Sequence, residues 1–160
     1  MGTGKSAVGR ELARKKKWQF VDLDELIELK EKRAISGIFA KEGEPYFRKI
    51  ESRALKEVSR EKGFVVACGG GVMIDEENVK IMKASGTVIC LSARPEVIFK
   101  RVSGATHRPL LNVANPEEKI ELLLKLRSPY YAKADKTIDT SELSVKEVAA
   151  KIAKLSNVKR

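Results

Sequence analysis

The chain has 160 residues, of which 42% are hydrophobic, 34% are charged and 6% are aromatic, and its formal net charge at pH 7 is +10. This length and apolar content predict one domain with one sizeable core and leave too little chain for two full domains. Because the apolar runs are short and the first residues lack a secretory signal pattern, we expect a soluble, cytoplasmic protein.

The basic composition raises nucleic-acid binding as one class of function. Only Arg14–Lys17 forms a basic run, however, and the other lysines are mixed with glutamates. This pattern favours a solvated charged surface over a nucleic-acid footprint, and abundant Lys and Glu are also typical of thermophilic proteins. Cys68 and Cys90 lie in apolar runs without metal-ligand spacing, so we expect two buried free thiols.

Strand-like and helical patterns alternate along the whole chain. Apolar, strand-like runs occur at residues 18–24, 64–68, 87–93 and 136–140. Helical patterns occur at residues 6–16, from 24 onward, and at 45–62, 76–83, 95–102, 117–134 and after 144. This alternation, without an internal repeat or a linker, predicts a single α/β domain over residues 1–160 with a parallel sheet and right-handed crossovers.

Local signals mark the ends of several predicted helices. Ser36 is a candidate helix N-cap, Gly43 predicts a break, and Pro45 fits the first turn of the clearest amphipathic helix. Ser144 and Glu147 form a capping box for the last helix.

The first candidate site is Gly2–Ser6, the sequence GTGKS, directly before the first helical pattern. Backbone N–H groups at such a helix start converge on anionic oxygens, Lys5 can reach the β and γ phosphates, and Ser6 can bind Mg2+. The full P-loop pattern, G-x-x-x-x-G-K-[ST], needs a further glycine, which would precede Met1. We therefore expect upstream codons to encode an apolar strand that ends in glycine. The alternative is a flexible, glycine-rich terminus.

Three further sets of residues can act on an anionic substrate beside this loop. Asp22 and Asp24 lie at the end of a strand, where one can bind near magnesium and the other near an accepting hydroxyl. The alternative is that one caps a helix and the other faces solvent. Arg48 and Glu51 share a helical face, so they can form a carboxylate-binding unit or a surface pair. Gly69–Gly71 can bring bare backbone close to a ligand or can form a tight turn.

Six motifs in this order make the chain resemble the shikimate kinases over essentially its whole length. They are G-x-G-K-S (Gly2–Ser6), D-x-D (Asp22, Asp24), F-R-x-x-E (Phe47, Arg48, Glu51), G-G-G (Gly69–Gly71), R-P-L-L (Arg108–Leu111) and R-x-P-x-Y (from Arg127). Each is weak alone, but six in family order are highly specific. The resemblance implies an α/β, three-layer P-loop kinase fold with a parallel central sheet flanked by helices, and with the first strand missing from this chain.

The same resemblance implies a reaction and a set of site residues. The family transfers the γ-phosphoryl of ATP to the 3-hydroxyl of shikimate, giving shikimate 3-phosphate and ADP, in chorismate and aromatic amino acid biosynthesis. The implied catalytic residues are Lys5, Asp24 and Arg108. The implied ATP-binding residues are Gly2, Thr3, Gly4, Lys5, Ser6, Ala7, Arg101 and Arg108. The implied substrate-binding residues are Asp24, Arg48, Gly69, Gly70, Gly71 and Arg127, with Glu51 in support. Mg2+ would bind Ser6 and, through water, Asp22.

The resemblance also divides the domain into functional regions. It places the P-loop at residues 1–6, the shikimate-binding region at about 24–54 and a mobile lid at about 103–115. Arg108 in the lid would cover the phosphates, neutralise transition-state charge and exclude water; the local alternative is an exposed arginine in a disordered loop. Arg101 matches a position that stacks against adenine, and residues 139–143 match the family's adenine loop.

Other functions stay open at this point. Gluconate kinase and adenylate kinase share the P-loop core, although their substrates do not call for the D-x-D, F-R-x-x-E and G-G-G motifs together. A basic P-loop protein that binds nucleic acid belongs to a different class, and a truncated, impaired form of the kinase is a further alternative. We expect a monomer that binds ATP and shikimate and that binds neither nucleic acid nor membrane.

Overall fold

The computed structural model describes residues 2–103 and 115–155, in which α-helices alternate with short strands. The helices are α1 (Lys5–Lys16), α2 (Leu23–Glu31), α3 (Ile35–Val58), α4 (Glu76–Ser85), α5 (Pro95–Val102), α6 (Pro116–Tyr131) and α7 (Val145–Leu155). The strands are β1 (Gln19–Asp22), β2 (Phe64–Ala67), β3 (Ile89–Ser92) and β4 (Lys136–Asp139). A short 3-10 turn, Val72–Ile74, precedes α4.

The strands form two parallel pairs. β1 pairs with β2 in a register that begins with Gln19 opposite Phe64, and β3 pairs with β4 from Ile89 opposite Lys136. Among the described residues, no hydrogen-bonded ladder joins β2 to β3. The predicted parallel pairing is therefore present, but the central sheet is divided into two halves.

A cavity of about 670 Å³ lies between the two halves and is lined by all four residues of β2 and all four of β3. Strands in the middle of a parallel sheet are normally buried, because helices cover both faces. In β2, however, only Ala67 is buried, and every residue of β3 is half-buried. The opening at the centre of the sheet leaves both strands partly exposed.

The helices pack around the strands in three apolar clusters. The largest joins α2, α3 and α4, and its centre includes Leu23 and Ile38, both fully buried. A second cluster joins α1 to α7 through Val8 and Val148, and a third packs α5 against Ile120 of α6. The region of α2 to α4 thus has an apolar core of its own.

The boundaries of α3 differ from those predicted. The helix begins at Ile35 with Ala34 as its N-cap, so the predicted N-cap at Ser36 is wrong. The reason is a contact that sequence does not reveal, since the Ile35 N–H donates to Glu28 Oε1 at 2.8 Å. The predicted break at Gly43 is confirmed as a kink with φ 79° inside α3.

Other local predictions concern α7 and the cysteines. The capping box is confirmed, because the Ser144 N–H donates to Glu147 Oε2 at 2.8 Å and the Glu147 N–H donates to Ser144 Oγ at 3.3 Å. Cys68 and Cys90 are free thiols as predicted, but they are half-buried. No helix in residues 2–103 and 115–155 has the length and apolar character needed to cross a bilayer.

Candidate active site

The loop before α1 forms a pocket suited to anionic oxygens. Gly2 and Gly4 adopt left-handed conformations, with φ values of 64° and 89° that favour glycine. Gly4 caps α1 without a side-chain hydrogen bond, so the positive end of the helix dipole and its first N–H groups face the loop. A cavity of about 260 Å³ lies here and is lined by Gly2, Gly4, Lys5, Ser6, Ala7, Arg101 and Val102.

Asp22 connects this loop to the end of β1. The Ser6 hydroxyl donates to Asp22 Oδ2 at 2.6 Å, while Asp22 Oδ1 accepts the Asp24 N–H at 3.1 Å and caps α2. Hydroxyl and carboxylate oxygens suit Mg2+, which commonly takes one or two protein ligands and completes its shell with water and phosphate. The described ranges hold no cluster of three or more His, Cys, Asp or Glu side chains arranged for a metal. Ser6 and Asp22 are thus two neighbouring oxygen ligands of the kind that Mg2+ binds.

Asp24 lies in the first turn of α2 and is half-buried. Burial raises the pKa of Asp24, and the negative charge of Asp22 raises it further, while Lys5 and Arg48 act in the opposite direction. A carboxylate whose charged form is destabilised binds a proton more readily than an ordinary carboxylate does. Asp24 can therefore serve as a proton acceptor beside the phosphate loop.

Arg48 is held by two carboxylates of its own helix. Its Nη1 donates to Glu51 Oε2 at 2.7 Å, and its Nε and Nη2 donate to Glu44 Oε1 at 3.1 and 2.8 Å. The Glu51 side chain is only 1% exposed, whereas that of Glu44 is 60% exposed. Burial raises the pKa of Glu51, and the bond from Arg48 opposes that shift. The pairing of Arg48 with Glu51 that the helical spacing predicted is present, and the two carboxylates together fix the orientation of the guanidinium.

The backbone of Gly69–Gly71 passes close to three predicted site residues. A Cβ atom on the first glycine would lie 3.2 Å from Asp24 Oδ1, and one on the second would lie 3.2 Å from Arg127 Nη1. On the third glycine it would overlap the Arg48 guanidinium. The bare backbone of these glycines therefore allows one carboxylate and two guanidinium groups to approach it closely.

Arg101 contacts the loop through a neighbour that follows β4. Its Nη1 donates to Thr140 Oγ1 at 3.0 Å and its Nη2 donates to the Thr140 carbonyl at 2.8 Å. Thr140 is only 2% exposed, and its hydroxyl also lies 3.2 Å from the Thr3 carbonyl and 3.0 Å from the Ser92 carbonyl. Thr140 thereby connects the phosphate loop to the ends of β3 and β4.

Comparison with known proteins identifies the family. A family model described as shikimate kinase matches residues 1–156. The chain belongs to the shikimate kinase family. It is 49% identical over 154 residues to the shikimate kinase of Thermodesulfovibrio yellowstonii, covering 96% of this chain and 89% of that protein. The shikimate kinase of Thermoanaerobacter pseudethanolicus is 45% identical over 154 residues, with 96% and 90% covered.

A solved structure supports the same assignment. The fold is similar to that of the shikimate kinase from Acinetobacter baumannii in complex with shikimate, with a TM-score of 0.93, 40% identity, and 100% of this chain and 91% of that chain covered. The predicted family, the P-loop kinase fold and the shikimate kinase function are confirmed. The chain is accordingly an enzyme of the shikimate kinase family, whose phosphoryl donor is ATP.

One predicted catalytic residue belongs to the predicted lid. Arg108 lies outside the described residues, as do all positions from 104 to 114 of the predicted lid. The role of Arg108 therefore stays a prediction.

Three residues of this shikimate kinase site were not identified as such from the sequence. Glu44 precedes Arg48 by one helical turn, so its i, i+4 spacing was an available signal. Tyr131 is the last residue of the R-x-P-x-Y motif, and its hydroxyl would lie 2.5 Å from a Cβ at Gly70. Thr140 had no local signal, because all its side-chain partners are distant in sequence.

Proposed function

We propose that this chain transfers the γ-phosphoryl group of ATP to the 3-hydroxyl of shikimate, with the predicted site residues in the roles given below. The observation that supports these roles best is the meeting of Asp24, Arg48 and Arg127 around the backbone of Gly69–Gly71. Such a pocket offers a proton acceptor and two guanidinium forks to a hydroxylated carboxylate.

On the acceptor side, Arg48 and Arg127 bind the shikimate carboxylate, and Glu51 keeps Arg48 in orientation. Asp24 accepts a hydrogen bond from the 3-hydroxyl and takes its proton as the hydroxyl oxygen bonds to the γ-phosphorus. The bond between that phosphorus and the β–γ bridging oxygen breaks, and ADP leaves with the bond's electron pair. Most of the catalytic effect comes from position and charge, as is general for phosphoryl transfer.

On the donor side, the backbone of Gly2, Thr3, Gly4 and Ala7 binds phosphate oxygens at the N-terminus of α1. Lys5 pairs with the β and γ phosphates, near enough to Asp24 for its charge to act on that carboxyl. Ser6 would bind Mg2+ directly and Asp22 would bind it through water, consistent with their 2.6 Å contact. When bound, Mg2+ neutralises the oxygens of the transferring phosphoryl group.

Further residues complete the nucleotide site. Arg101 lines the loop cavity and binds adenine by stacking, while Arg108 closes over the phosphates. A monomeric state, a cytoplasmic location and the absence of nucleic-acid or membrane partners stay predictions.

The reaction is tested by coupled ADP release with shikimate, gluconate or AMP as acceptor. We expect turnover with shikimate alone, and dependence on Mg2+. A folded chain that turns over gluconate or AMP as fast as shikimate would contradict the proposed acceptor. A folded chain that binds ATP but not shikimate would contradict the proposed pocket.

Replacement of Arg127 should change the KM for shikimate but not the KM for ATP. Arg127→Ala should raise the KM for shikimate roughly 10- to 100-fold, the effect of losing a charged hydrogen bond. The KM for ATP should change by no more than about twofold, because the lost group faces the acceptor. Lys125→Ala, at an exposed position of the same helix, is the matched control and should change neither value. Equal weakening of both substrates would exclude the proposed role.

A further inference from the structure

The Arg48 guanidinium is already occupied by carboxylates of its own helix. Each edge of a guanidinium group presents two nearly parallel N–H groups, which match the two oxygens of a carboxylate. Nη1 donates to Glu51 at 2.7 Å, so the edge formed by Nε and Nη2 is the fork that a second carboxylate can take while Glu51 stays. Both nitrogens of that edge donate to Glu44 Oε1, at 3.1 and 2.8 Å. Glu44 therefore holds the fork that a substrate carboxylate would use.

The two carboxylates differ in how easily they can be replaced. The Glu51 side chain is 1% exposed, so a break in its pairing with Arg48 would leave a buried, unpaired carboxylate. The Glu44 side chain is 60% exposed, so rotation about its own bonds carries its carboxylate into water. Ion pairs exposed to this degree contribute little to stability, because water solvates both charges once they separate. Glu44 is therefore the replaceable partner of Arg48, and Glu51 is the permanent one.

The guanidinium that Glu44 occupies belongs to the acceptor pocket. It packs so closely against the Gly71 backbone that a Cβ atom there would overlap it. At the neighbouring Gly70, a Cβ atom would lie 3.2 Å from Arg127 Nη1. Two guanidinium groups thus approach adjacent residues of one backbone segment. An acceptor whose carboxylate binds Arg48 in this pocket must compete with Glu44 for the fork.

The kink in α3 separates Glu44 from a second acidic residue, Glu42. Gly43 has non-helical φ and ψ angles of 79° and 175°, so the two glutamates lie in different helical segments. Glu42 pairs with Arg33 at 2.6 Å, and the two side chains are 27% and 29% exposed. Replacement of Glu42 would therefore remove the same charge, two positions away, from a side chain that pairs with a different arginine. Glu42 is thus a matched control for the charge of Glu44.

Resting on the proposed function, we propose that Glu44 is an internal competitor of the acceptor, which binds Arg48 in the free enzyme and gives way to the substrate carboxylate. The exchange keeps Arg48 paired and oriented before the substrate arrives. It lowers the affinity for every acceptor according to the fraction of molecules in which Glu44 holds the fork. A spherical anion such as chloride cannot match both N–H groups as a planar carboxylate does, so the exchange favours carboxylates over such anions.

The test compares Glu44→Gln, which keeps the shape of the side chain and removes its charge, with Glu42→Gln. The Kd is measured by NMR titration with shikimate and with benzoate, a planar carboxylate that lacks the hydroxyl groups of shikimate. Glu44→Gln should lower both Kd values about two- to fivefold, the range expected when an exposed ion pair no longer competes. It should lower the KM for shikimate by a similar factor and leave kcat within about twofold. Glu42→Gln should leave the Kd and KM values unchanged.

Other results would overturn the proposal. Higher Kd values in Glu44→Gln would show that Glu44 only orients Arg48, and unchanged values would show that it does not compete with bound carboxylates. Equal decreases in the two variants would assign the effect to net charge rather than to the fork of Arg48. Failure of the proposed reaction would be seen separately, as absence of ADP release with shikimate. The benzoate titration would still decide whether Glu44 competes.

Discussion

The acceptor pocket, formed by Asp24, Arg48 and Arg127 around Gly69–Gly71, is more tightly packed than the centre of the sheet. Around the pocket, Leu23 and Ile38 are fully buried and Arg48 is fixed by two carboxylates. At the sheet centre, the residues of β3 are half-buried. The buried Thr3 hydroxyl has no hydrogen-bond partner among the described residues. The pocket therefore rests on the packing of α2, α3 and α4, to which α6 adds Arg127, whereas the phosphate loop lies beside two strand pairs that no ladder joins among the described residues. Changes at the pocket should alter chemistry without loss of stability, and changes near the loop should alter both.

The largest effect is expected from Asp24→Asn, which removes the proton acceptor and keeps its shape. Loss of general base catalysis should lower kcat by about 10²- to 10³-fold, with little change in the KM for ATP. The measurement is steady-state ADP release. Glu25→Gln is the matched control, because Glu25 lies next in α2, is exposed and pairs with Arg10. An unaltered kcat in Asp24→Asn would remove this residue from the reaction.

A smaller effect is expected from Glu51→Gln, which removes the buried partner of Arg48. Arg48 would keep Glu44 and turn toward it, so the KM for shikimate should rise about tenfold. Because burial raises the pKa of Glu51, its charge is already unfavourable, and Tm should change little. Glu44→Gln, at the exposed partner, should have a weaker effect on KM. If Glu44→Gln impaired shikimate binding more than Glu51→Gln, the assignment of the orienting carboxylate would be reversed.

On the loop side, Thr140→Val should affect stability and nucleotide binding together. The change leaves the Thr3 and Ser92 carbonyls without this partner, which should cost about 1–3 kcal/mol and raise the KM for ATP several-fold. Thr140→Ser keeps the hydroxyl and should restore the KM. Thr137→Val, at an exposed position of β4, is the control for a β-branched replacement. A loss of stability with an unchanged KM for ATP would limit Thr140 to a structural role.

Features that depend on neighbouring residues could be predicted from the sequence, whereas features that depend on distant contacts could not. Local patterns were enough for the phosphate loop, for the Arg48 and Glu51 pair and for the Ser144 capping box, because those residues lie within a few positions of one another. The N-cap of α3 was mispredicted because Glu28, seven residues away, binds its first N–H. The role of Thr140 and the division of the sheet depend on long-range placement, which no single stretch of sequence encodes.

The smallest expected effect is a gain in stability, and it concerns Asp24 again. Burial raises the pKa of the folded-state Asp24 carboxyl above its ordinary value. The folded state therefore binds the proton more tightly than the unfolded state, and stability falls as pH rises from the ordinary pKa to the raised one. Asp24→Asn has no such charge, so near neutral pH its Tm should exceed that of the unmodified chain by a few degrees, about 2–4 °C.

That gain should shrink as the pH is lowered toward the ordinary pKa of an aspartate, because the unmodified Asp24 then becomes neutral as well. Thermal unfolding of both chains across this pH range measures the difference directly. Glu25→Gln should show no comparable gain, since its carboxylate is exposed. A variant Asp24→Asn that is less stable than the unmodified chain at neutral pH would mean that Lys5 and Arg48 outweigh burial. The charges of Lys5 and Arg48 would then stabilise the folded pocket through the Asp24 carboxylate. The pocket and the phosphate loop would in that case differ in electrostatics as well as in packing.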